Sequence, residues 1–242
     1  MNEHERVLEL IRLKDQVPSK LDPSKTALLV IDVQRYFVSP DYPFGQTFEK
    51  LVPGATAGYF ERVRNTVIPN IKRLQEFFRS QHLPIIYTVI GSHMENGRDL
   101  PGQLRDLDQL GLAVLGKRIT PPVNDPSWQI DDSVAPLPGE LVLNKTSCGP
   151  LNSTKLDQTL HNMGIDTLIV AGLTTDVCVT QTARETADRG FQVTIAEDAC
   201  TTLSEELHRH ALQSFNIVFG RVKNADEVLS SLSAAGVSGV GV

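Results

Sequence analysis

The stretch Ile165–Gly190 reads IDTLIVAGLTTDVCVTQTARETADRG and holds the pattern around which the rest of the chain is organised. It begins with a β-branched apolar run, Thr167–Ala171, which Gly172 and three small polar residues follow. From Val179 onward, apolar and small residues recur at helical spacing until Gly190. This order predicts a buried strand, a tight turn and a helix.

Cys178 lies in the first turn of that predicted helix. A thiol at a helix N-terminus is close to the positive end of the helix dipole and to unpaired amide groups, which stabilise the thiolate. Cysteine is also among the residue types most often buried in protein cores. Position alone therefore leaves two interpretations open, a nucleophile and a packed core residue.

The composition limits the classes of protein to which the chain could belong. It has 242 residues, three cysteines and a net charge of −6, which suits one α/β domain with a sizeable core. The negative charge argues against nucleic acid as a partner, and the apolar runs are too short to cross a membrane. Three widely spaced cysteines and a charged N-terminus unlike a secretory signal predict a cytoplasmic protein.

Apolar runs alternate with helical patterns along the chain. The predicted strands are 26–32, 83–90, 141–145, 167–171, 192–196 and 217–219, and the predicted helices between and after them are 59–80, 154–162, 203–214 and 225–232. This alternation predicts an α/β fold, in which a doubly wound, mainly parallel six-stranded sheet carries helices on both faces.

The predicted organisation is a helical leader over residues 1–24, one domain over 25–232 and a flexible tail over 233–242. Two spans inside the domain, 39–58 and 91–137, are rich in proline and glycine and lack clear periodicity. We expect loops there, and loops this long usually form lids, binding segments or interfaces.

Ionisable residues follow three of the predicted strands. Asp32 ends the first strand, Lys145 ends the third, and Cys178 comes just after the fourth. Ligand sites of open parallel sheets lie outside the carboxyl ends of the strands, so these side chains are expected at one edge. Taken singly, an aspartate after a strand is commonly a cap and a lysine is commonly solvated. Neither a G-x-G-x-x-G turn nor a P-loop is present, which disfavours dinucleotide binding.

Together with their neighbours, these residues resemble the isochorismatase-like cysteine hydrolases, a superfamily that includes nicotinamidases, isochorismatase, and the N-carbamoylsarcosine, ureidoacrylate and biuret amidohydrolases. The resemblance covers about residues 25 to 230. Its motifs are Asp32-Val-Gln34, Val142-Leu-Asn-Lys145 with the following Asn152-Ser-Thr-Lys-Leu156, and Ala171–Ala187, which reads AGLTTDVCVTQTARETA.

The resemblance implies a mechanism. Cys178 would attack a carbonyl carbon, and Asp32 would take the thiol proton and later pass it to the leaving amine. The charge of Lys145 would favour both ionised partners. The family also implies an oxyanion hole formed by the backbone N–H groups of Thr174 and Cys178, and a cis peptide bond between Leu173 and Thr174. Water would then hydrolyse the thioester.

Substrate and metal are less well defined by the resemblance. The substrate pocket is predicted to include Gln34, Phe37, Leu151 and Thr175, although the segment 146–151 departs from the family's usual aromatic segment. Metal-binding relatives carry an aspartate and two histidines between the first two catalytic elements, and His82 and His93 lack such companions. We therefore expect no metal and no cofactor, and we interpret Cys148 as structural.

Three functions stay open at this point. The first is an amidohydrolase that cleaves a small carbamoyl or amide compound and releases ammonia. The second is an ether hydrolase in which Asp32 protonates the substrate and Cys178 is dispensable. The third is a catalytically idle binding subunit with the same pocket. In each case the expected partners are a small-molecule substrate and further copies of the chain, because relatives usually form homo-oligomers, as dimers or tetramers.

Overall fold

The computed structural model describes residues 1–17 and 21–236, and its centre is a sheet of six strands. The strands are β1 (Thr26–Ile31), β2 (Ile85–Ile90), β3 (Leu141–Lys145), β4 (Thr167–Leu173), β5 (Gln192–Thr201) and β6 (Arg221–Lys223). They lie in the order β3-β2-β1-β4-β5-β6, and every pairing is parallel. The chain therefore reverses its direction across the sheet between β1 and β4, where open α/β sheets bind ligands.

Helices connect the strands. They are α1 (Glu3–Asp15), α2 (Arg35–Val38), α3 (Pro43–Leu51), α4 (Ala57–Arg62), α5 (Ile68–Ser80), α6 (Gly102–Leu115), α7 (Leu156–Asn162), α8 (Thr180–Ala187), α9 (Glu205–Asn216) and α10 (Ala225–Ala234). A π-helical turn, Val63–Val67, joins α4 to α5, and a second one, Thr175–Val179, precedes α8.

Side chains of β1 alternate between two core layers. Leu28 and Val30 belong to a cluster that includes residues of α5 and α10, whereas Leu29 and Ile31 belong to one that includes residues of α7, α8 and α9. Because helices cover both faces of the sheet, β1 is an uninterrupted apolar run. The predicted α/β fold with a doubly wound parallel sheet is confirmed.

The strand predicted at 217–219 is wrong. Ile217 and Val218 follow the end of α9 with 47% and 74% of their surfaces exposed, and the ring of Phe219 stacks on that of Phe215. The sixth strand is the three-residue segment Arg221–Lys223 at the edge of the sheet. The apolar run therefore belongs to the turn after a helix, and the edge strand is too short to show a pattern of its own.

Two helices lie in spans that the sequence predicted as loops. α3 begins with Pro43 at its first position, where proline fits a helix, so the proline was a poor sign of a loop. Within α6 only Asp108 and Gly111 are buried. A helix with so little buried apolar surface gives only a weak amphipathic signal.

The bounds of two other elements also differ from those predicted. β5 extends to Thr201, so Cys200 lies within this strand and not after it. The single helix predicted over 59–80 is in fact divided into α4, the π-helical turn and α5. Pro69 therefore lies in the first turn of α5, where a helix tolerates proline.

Both termini differ in detail from the sequence prediction. α1 contacts the domain near β6, where Arg221 Nη1 donates to the carbonyl of Asp15 at 2.7 Å. At the other end α10 continues to Ala234, two residues into the predicted tail, and residues 237–242 of that tail lie outside the described part of the chain. Within residues 1–17 and 21–236, no helix is both long and apolar enough to span a membrane.

Candidate active site

The ends of β1 and β4 approach each other closely at the edge of the sheet. Ile31 of β1 pairs with Gly172 of β4. A Cβ added to Gly172 would lie 2.1 Å from the carbonyl oxygen of Ile31, and the glycine φ of 125° is one that side chains rarely adopt. The absence of a side chain at Gly172 therefore allows the two strand ends to meet.

Asp32 follows β1 in a left-handed conformation, with φ of 51°. Aspartate is one of the few residue types that adopt this region without a large penalty. Its backbone N–H donates to the carbonyl of Thr88 at 2.9 Å, and its Oδ1 accepts a hydrogen bond from Thr88 Oγ1 at 2.8 Å. The end of β2 thus fixes both the backbone and the carboxylate of Asp32.

Lys145 lies at the end of β3, separated from β1 by β2, and its side chain spans that gap. Its Nζ lies 2.7 Å from Asp32 Oδ2 and also donates to Cys178 Sγ at 3.4 Å. Both Asp32 and Lys145 are fully buried. The three residues predicted at one edge of the sheet are therefore together, with the ammonium group between the carboxylate and the sulfur.

The electrostatic surroundings keep Lys145 charged. Burial by itself would lower the pKa of the ammonium group, but the charge of Asp32 and the hydrogen bond to its carboxylate outweigh burial and raise the pKa to about 12. Nζ also donates to the carbonyl of Ser147 at 3.0 Å. At neutral pH the site thus holds a buried ammonium group with partners on three sides.

Cys178 lies in the π-helical turn before α8 and is 5% exposed. A hydrogen bond with the Cys148 thiol and burial both raise the pKa of Cys178, whereas the charge of Lys145 opposes them. This result differs from the expectation that the helix N-terminus would stabilise a thiolate, because the neighbouring thiol and desolvation outweigh the cation. The resting sulfur is therefore protonated, and its activation requires a base.

The backbone before Cys178 has an unusual form. The peptide bond between Leu173 and Thr174 is cis, as the resemblance implied. The carbonyl of Thr174 accepts from the N–H groups of Val177 and Val179 at 3.3 and 3.1 Å. In the described part of the chain, the N–H of Thr174 has no hydrogen-bond acceptor, which leaves one donor near the sulfur for a ligand. The oxyanion hole of Thr174 and Cys178 stays a prediction.

Two of the predicted pocket residues, Gln34 and Thr175, use their polar side-chain groups in hydrogen bonds within the protein. Gln34 is fully buried, its Nε2 donates to the carbonyls of Ile90 and Trp128, and its Oε1 accepts from the N–H of Ile90 at 2.7 Å. Thr175 Oγ1 lies 2.8 Å from His208 Nδ1. These contacts support a role for both residues in positioning the backbone around the site.

The other two predicted pocket residues are half-buried. The ring of Phe37 packs against that of Phe44, with centroids 5.0 Å apart. Leu151 packs on the same apolar cluster as Cys178. Their assignment to the substrate pocket stays a prediction.

Several residues of the site carried no sequence signal. Thr88 meets Asp32 only because β2 and β1 pair in this register. Tyr36 and Tyr59 are fully buried, and burial raises the pKa of both phenols well above its usual value. Tyr59 donates to the carbonyl of Phe37 at 3.0 Å, which ties α4 to the segment after β1. Such contacts depend on strand order and tertiary packing.

The described residues also bear on metal binding. Across 1–17 and 21–236, no group of three or more His, Cys, Asp or Glu side chains is arranged to hold a metal ion. The ring of His93 lies beside Asn144, with Nε2 3.1 Å from Nδ2. The absence of a metal requirement stays a prediction that only the active protein can test.

Comparison with known proteins shows which family the chain resembles in sequence. Residues 26–227 match the family model described as the isochorismatase domain. The chain is 28% identical to N-carbamoylsarcosine amidase of an Arthrobacter species, over 87% of this chain and 72% of the relative. It is 30% identical to ureidoacrylate amidohydrolase of Methylobacterium radiotolerans, over 89% and 82% of the two chains.

A solved structure agrees with the fold. The crystal structure of a cysteine hydrolase from Pseudomonas syringae pv. phaseolicola superposes with a TM-score of 0.73 at 24% identity, covering 91% of this chain and 98% of the other. That likeness concerns the fold alone. Since the family model runs from the first residue of β1 into α10, the chain belongs to the isochorismatase family.

Proposed function

We propose that this chain is a cysteine-dependent amidohydrolase that cleaves the C–N bond of a small carbamoyl or amide compound and releases ammonia. The observation that carries the proposal is the buried ammonium group of Lys145, in contact with both Asp32 Oδ2 and Cys178 Sγ. Two relatives that share most of the chain are named as an amidase and an amidohydrolase, which supports C–N cleavage.

The first step is attack by the sulfur of Cys178 on the carbonyl carbon. Because the pKa of this thiol is raised, the proton must pass to a base as the carbon–sulfur bond forms. Asp32 is the carboxylate on the same ammonium group, and Thr88 and Lys145 hold its two oxygens in place. Asp32 then returns the proton to the nitrogen as the C–N bond breaks, and water hydrolyses the thioester.

Charge that develops on the carbonyl oxygen needs donors that are already in place. The N–H groups of Thr174 and Cys178 are our proposed donors, and this assignment is supported by the N–H of Thr174, which has no acceptor within residues 1–17 and 21–236. Asp32 and Lys145 are fully buried and Cys178 nearly so, which favours a small substrate. Self-association into a homo-oligomer and a cytoplasmic location, both implied by the resemblance, stay expectations.

The test is a screen for ammonia release over ureides, carbamoyl amino acids and simple amides, followed by substitution. With the substrate found, we expect Cys178→Ala to lower kcat/KM by at least about a thousandfold, because the covalent route is lost. Asp32→Asn should lower it by about 10²–10⁴-fold through loss of the proton acceptor. Cys200→Ala is the matched control, since Cys200 is a cysteine buried within β5. We expect the activity of this variant to be close to that of the unsubstituted protein.

The outcomes distinguish the rival functions. Near-normal hydrolysis by Cys178→Ala would reject the thiolate mechanism. If Asp32→Asn were then inactive, the protein would act by protonation, as in ether hydrolysis. No turnover of any compound in the screen would favour a binding subunit.

A further inference from the structure

A second thiol lies at the candidate active site and has no part in the proposed hydrolysis. Cys148 is half-buried, whereas Cys178 and Cys200 are buried, and all three are unbridged in the structure. The side chain of Cys148 packs on the apolar cluster to which Cys178 belongs, and the two thiols are close enough for each to shift the pKa of the other. Hydrolysis through a thioester requires one sulfur, so this contact invites a separate explanation.

The segment that carries Cys148 is attached to the helical turn that carries Cys178. On one side of Cys148, Lys145 Nζ bridges the carbonyl of Ser147 and the sulfur of Cys178. On the other side, Asn152 Nδ2 donates to Glu185 Oε1 at 3.0 Å. Glu185 belongs to α8, which continues directly from the turn of Cys178. These two contacts therefore keep the segment that carries Cys148 close to the turn that carries Cys178.

The local charge makes the Cys148 thiol reactive. The hydrogen bond with Cys178 and the charge of Lys145 lower the pKa of Cys148 to about 7 against the opposing effect of burial. A large fraction of Cys148 is thus thiolate at neutral pH, and it is the more exposed of the two sulfurs. Low pKa and exposure are the two properties that select cysteines for oxidation. The expectation that Cys148 is only structural does not account for them.

We propose that Cys148 and Cys178 form a reversible redox pair, in which a hydroperoxide converts the two thiols into a disulfide that blocks the nucleophile. The Cys148 thiolate attacks the O–O bond; a sulfur–oxygen bond forms, and the peroxide is reduced by two electrons as hydroxide or an alcohol leaves. The sulfur of Cys178 then attacks the resulting sulfenic acid. Its thiol proton leaves with the displaced oxygen as water, and the S–S bond forms.

The sequence makes the product easy to detect. Trypsin cleaves after Lys145, Lys155 and Arg184, so the two cysteines fall in separate peptides, 146–155 and 156–184. The full-length protein is treated with hydrogen peroxide, its remaining thiols are blocked with iodoacetamide, and the digest is analysed by mass spectrometry without reduction. We expect the two peptides joined, with a mass lower than their sum by two hydrogen atoms, and dithiothreitol should separate them.

Two variants make the test specific. Cys148→Ala should give no joined peptide, and its Cys178 should oxidise to forms that dithiothreitol does not restore. Cys200→Ala should keep the joined peptide, because burial raises the pKa of Cys200 and removes it from the reaction. If the unsubstituted protein yields only separately oxidised peptides, or if dithiothreitol restores Cys178 equally well in Cys148→Ala, the proposal is wrong. This readout needs no substrate, so its failure is distinguishable from failure of the proposed hydrolysis.

Discussion

Gly172 determines how closely β4 can approach β1 where both strands end at the candidate site. Its φ of 125° alone disfavours any side chain, and a Cβ would also collide with the backbone of Ile31. Ile31 immediately precedes Asp32, so any shift that relieves the collision would move the carboxylate. A side chain at position 172 should therefore both destabilise the fold and displace the carboxylate of Asp32.

We expect Gly172→Ala to lower the free energy of unfolding by more than about 2 kcal/mol, because backbone strain adds to the collision. Hydrolysis should fall with it, since the Asp32–Lys145 contact depends on the same strand end. Urea unfolding followed by circular dichroism measures the first effect, and ammonia release measures the second.

Gly54→Ala is the matched control for that substitution. Gly54 also has a positive φ, of 83°, but a Cβ there would meet no atom within 4 Å. Gly54→Ala should therefore lower the free energy of unfolding by only about 1 kcal/mol, which is the cost of holding alanine in the left-handed conformation. Equal destabilisation by both substitutions would show that the approach of β4 to Ile31 is not tight.

At the scale of residues, the sequence allowed the prediction of Asp32, Lys145 and Cys178 together. Asp32 and Cys178 come after strong apolar runs and Lys145 ends a short one, and parallel strands place such residues at one edge. Thr88 and the contact between Cys148 and Cys178 were not predictable, because they depend on strand register and on the course of a loop. The raised pKa of Cys178 was not predicted for the same reason, since it arises from burial and from the thiol of Cys148, which lies 30 residues earlier in the sequence.

At the scale of elements, burial decided which segments could be predicted. β1, β2 and β4 are buried throughout, so their continuous apolar runs predicted strands correctly. β6 is a short edge strand whose residues are all half-buried, and α6 has few buried residues, so both lacked a pattern. Asp32 and the turn of Cys178 follow strands of the first group, which explains why this part of the site could be predicted, whereas β3, which ends in Lys145, is buried only at that residue.

The leader helix α1 is an element of the second group. Only Ile11 of it is buried among the side chains described, and Leu10 and Leu13 are 65% and 48% exposed. Polar contacts hold its C-terminal end, where Lys14 Nζ donates to Asn216 Oδ1 at 2.7 Å and Arg221 donates to Asp15. An element with so few buried contacts should open without unfolding the sheet.

Hydrogen exchange followed by mass spectrometry tests this expectation. Peptides from α1 should exchange orders of magnitude faster than those from β1 and β4. Arg221→Ala should speed exchange in α1 further and leave that of β1 unchanged. Arg209→Ala is the control, because Arg209 is exposed and, among the residues that the structure describes, its side chain bonds only to His210 and Gln213 of α9. Equal protection of α1 and β1 would contradict this view of the leader.

At the scale of the whole molecule, one buried histidine connects elements that are distant along the chain. His208 of α9 is 3% exposed. Arg62 of α4 can only donate, so His208 Nε2 accepts from it at 3.3 Å, and His208 Nδ1 carries the proton that bonds to Thr175. The neutral ring thus joins α4 and α9 to the turn that carries Cys178.

This arrangement makes the stability of the molecule depend on pH. Burial and the charge of Arg62 lower the pKa of His208 to about 4, and the nearby Glu205 and Asp176 oppose them only in part. The unfolded chain, with a histidine pKa of about 6.5, therefore binds more protons below that pH than the folded protein does. Stability is present above about pH 6.5 and is lost as the pH falls toward about 4. Linkage gives a loss of about 2 kcal/mol between about pH 7 and pH 5 from this residue.

Substitution separates His208 from the other titrating groups. We expect His208→Gln to lower stability at neutral pH, because the bonds to Arg62 and Thr175 weaken, and to flatten the decline between about pH 7 and pH 5 by about 2 kcal/mol. His210→Gln, two residues along the same helix and exposed, should keep the full decline. Urea unfolding at both pH values measures the difference. A decline of equal size in His208→Gln and in the unsubstituted protein would mean that the ring is charged in the folded state, and then it could not accept a hydrogen bond from Arg62.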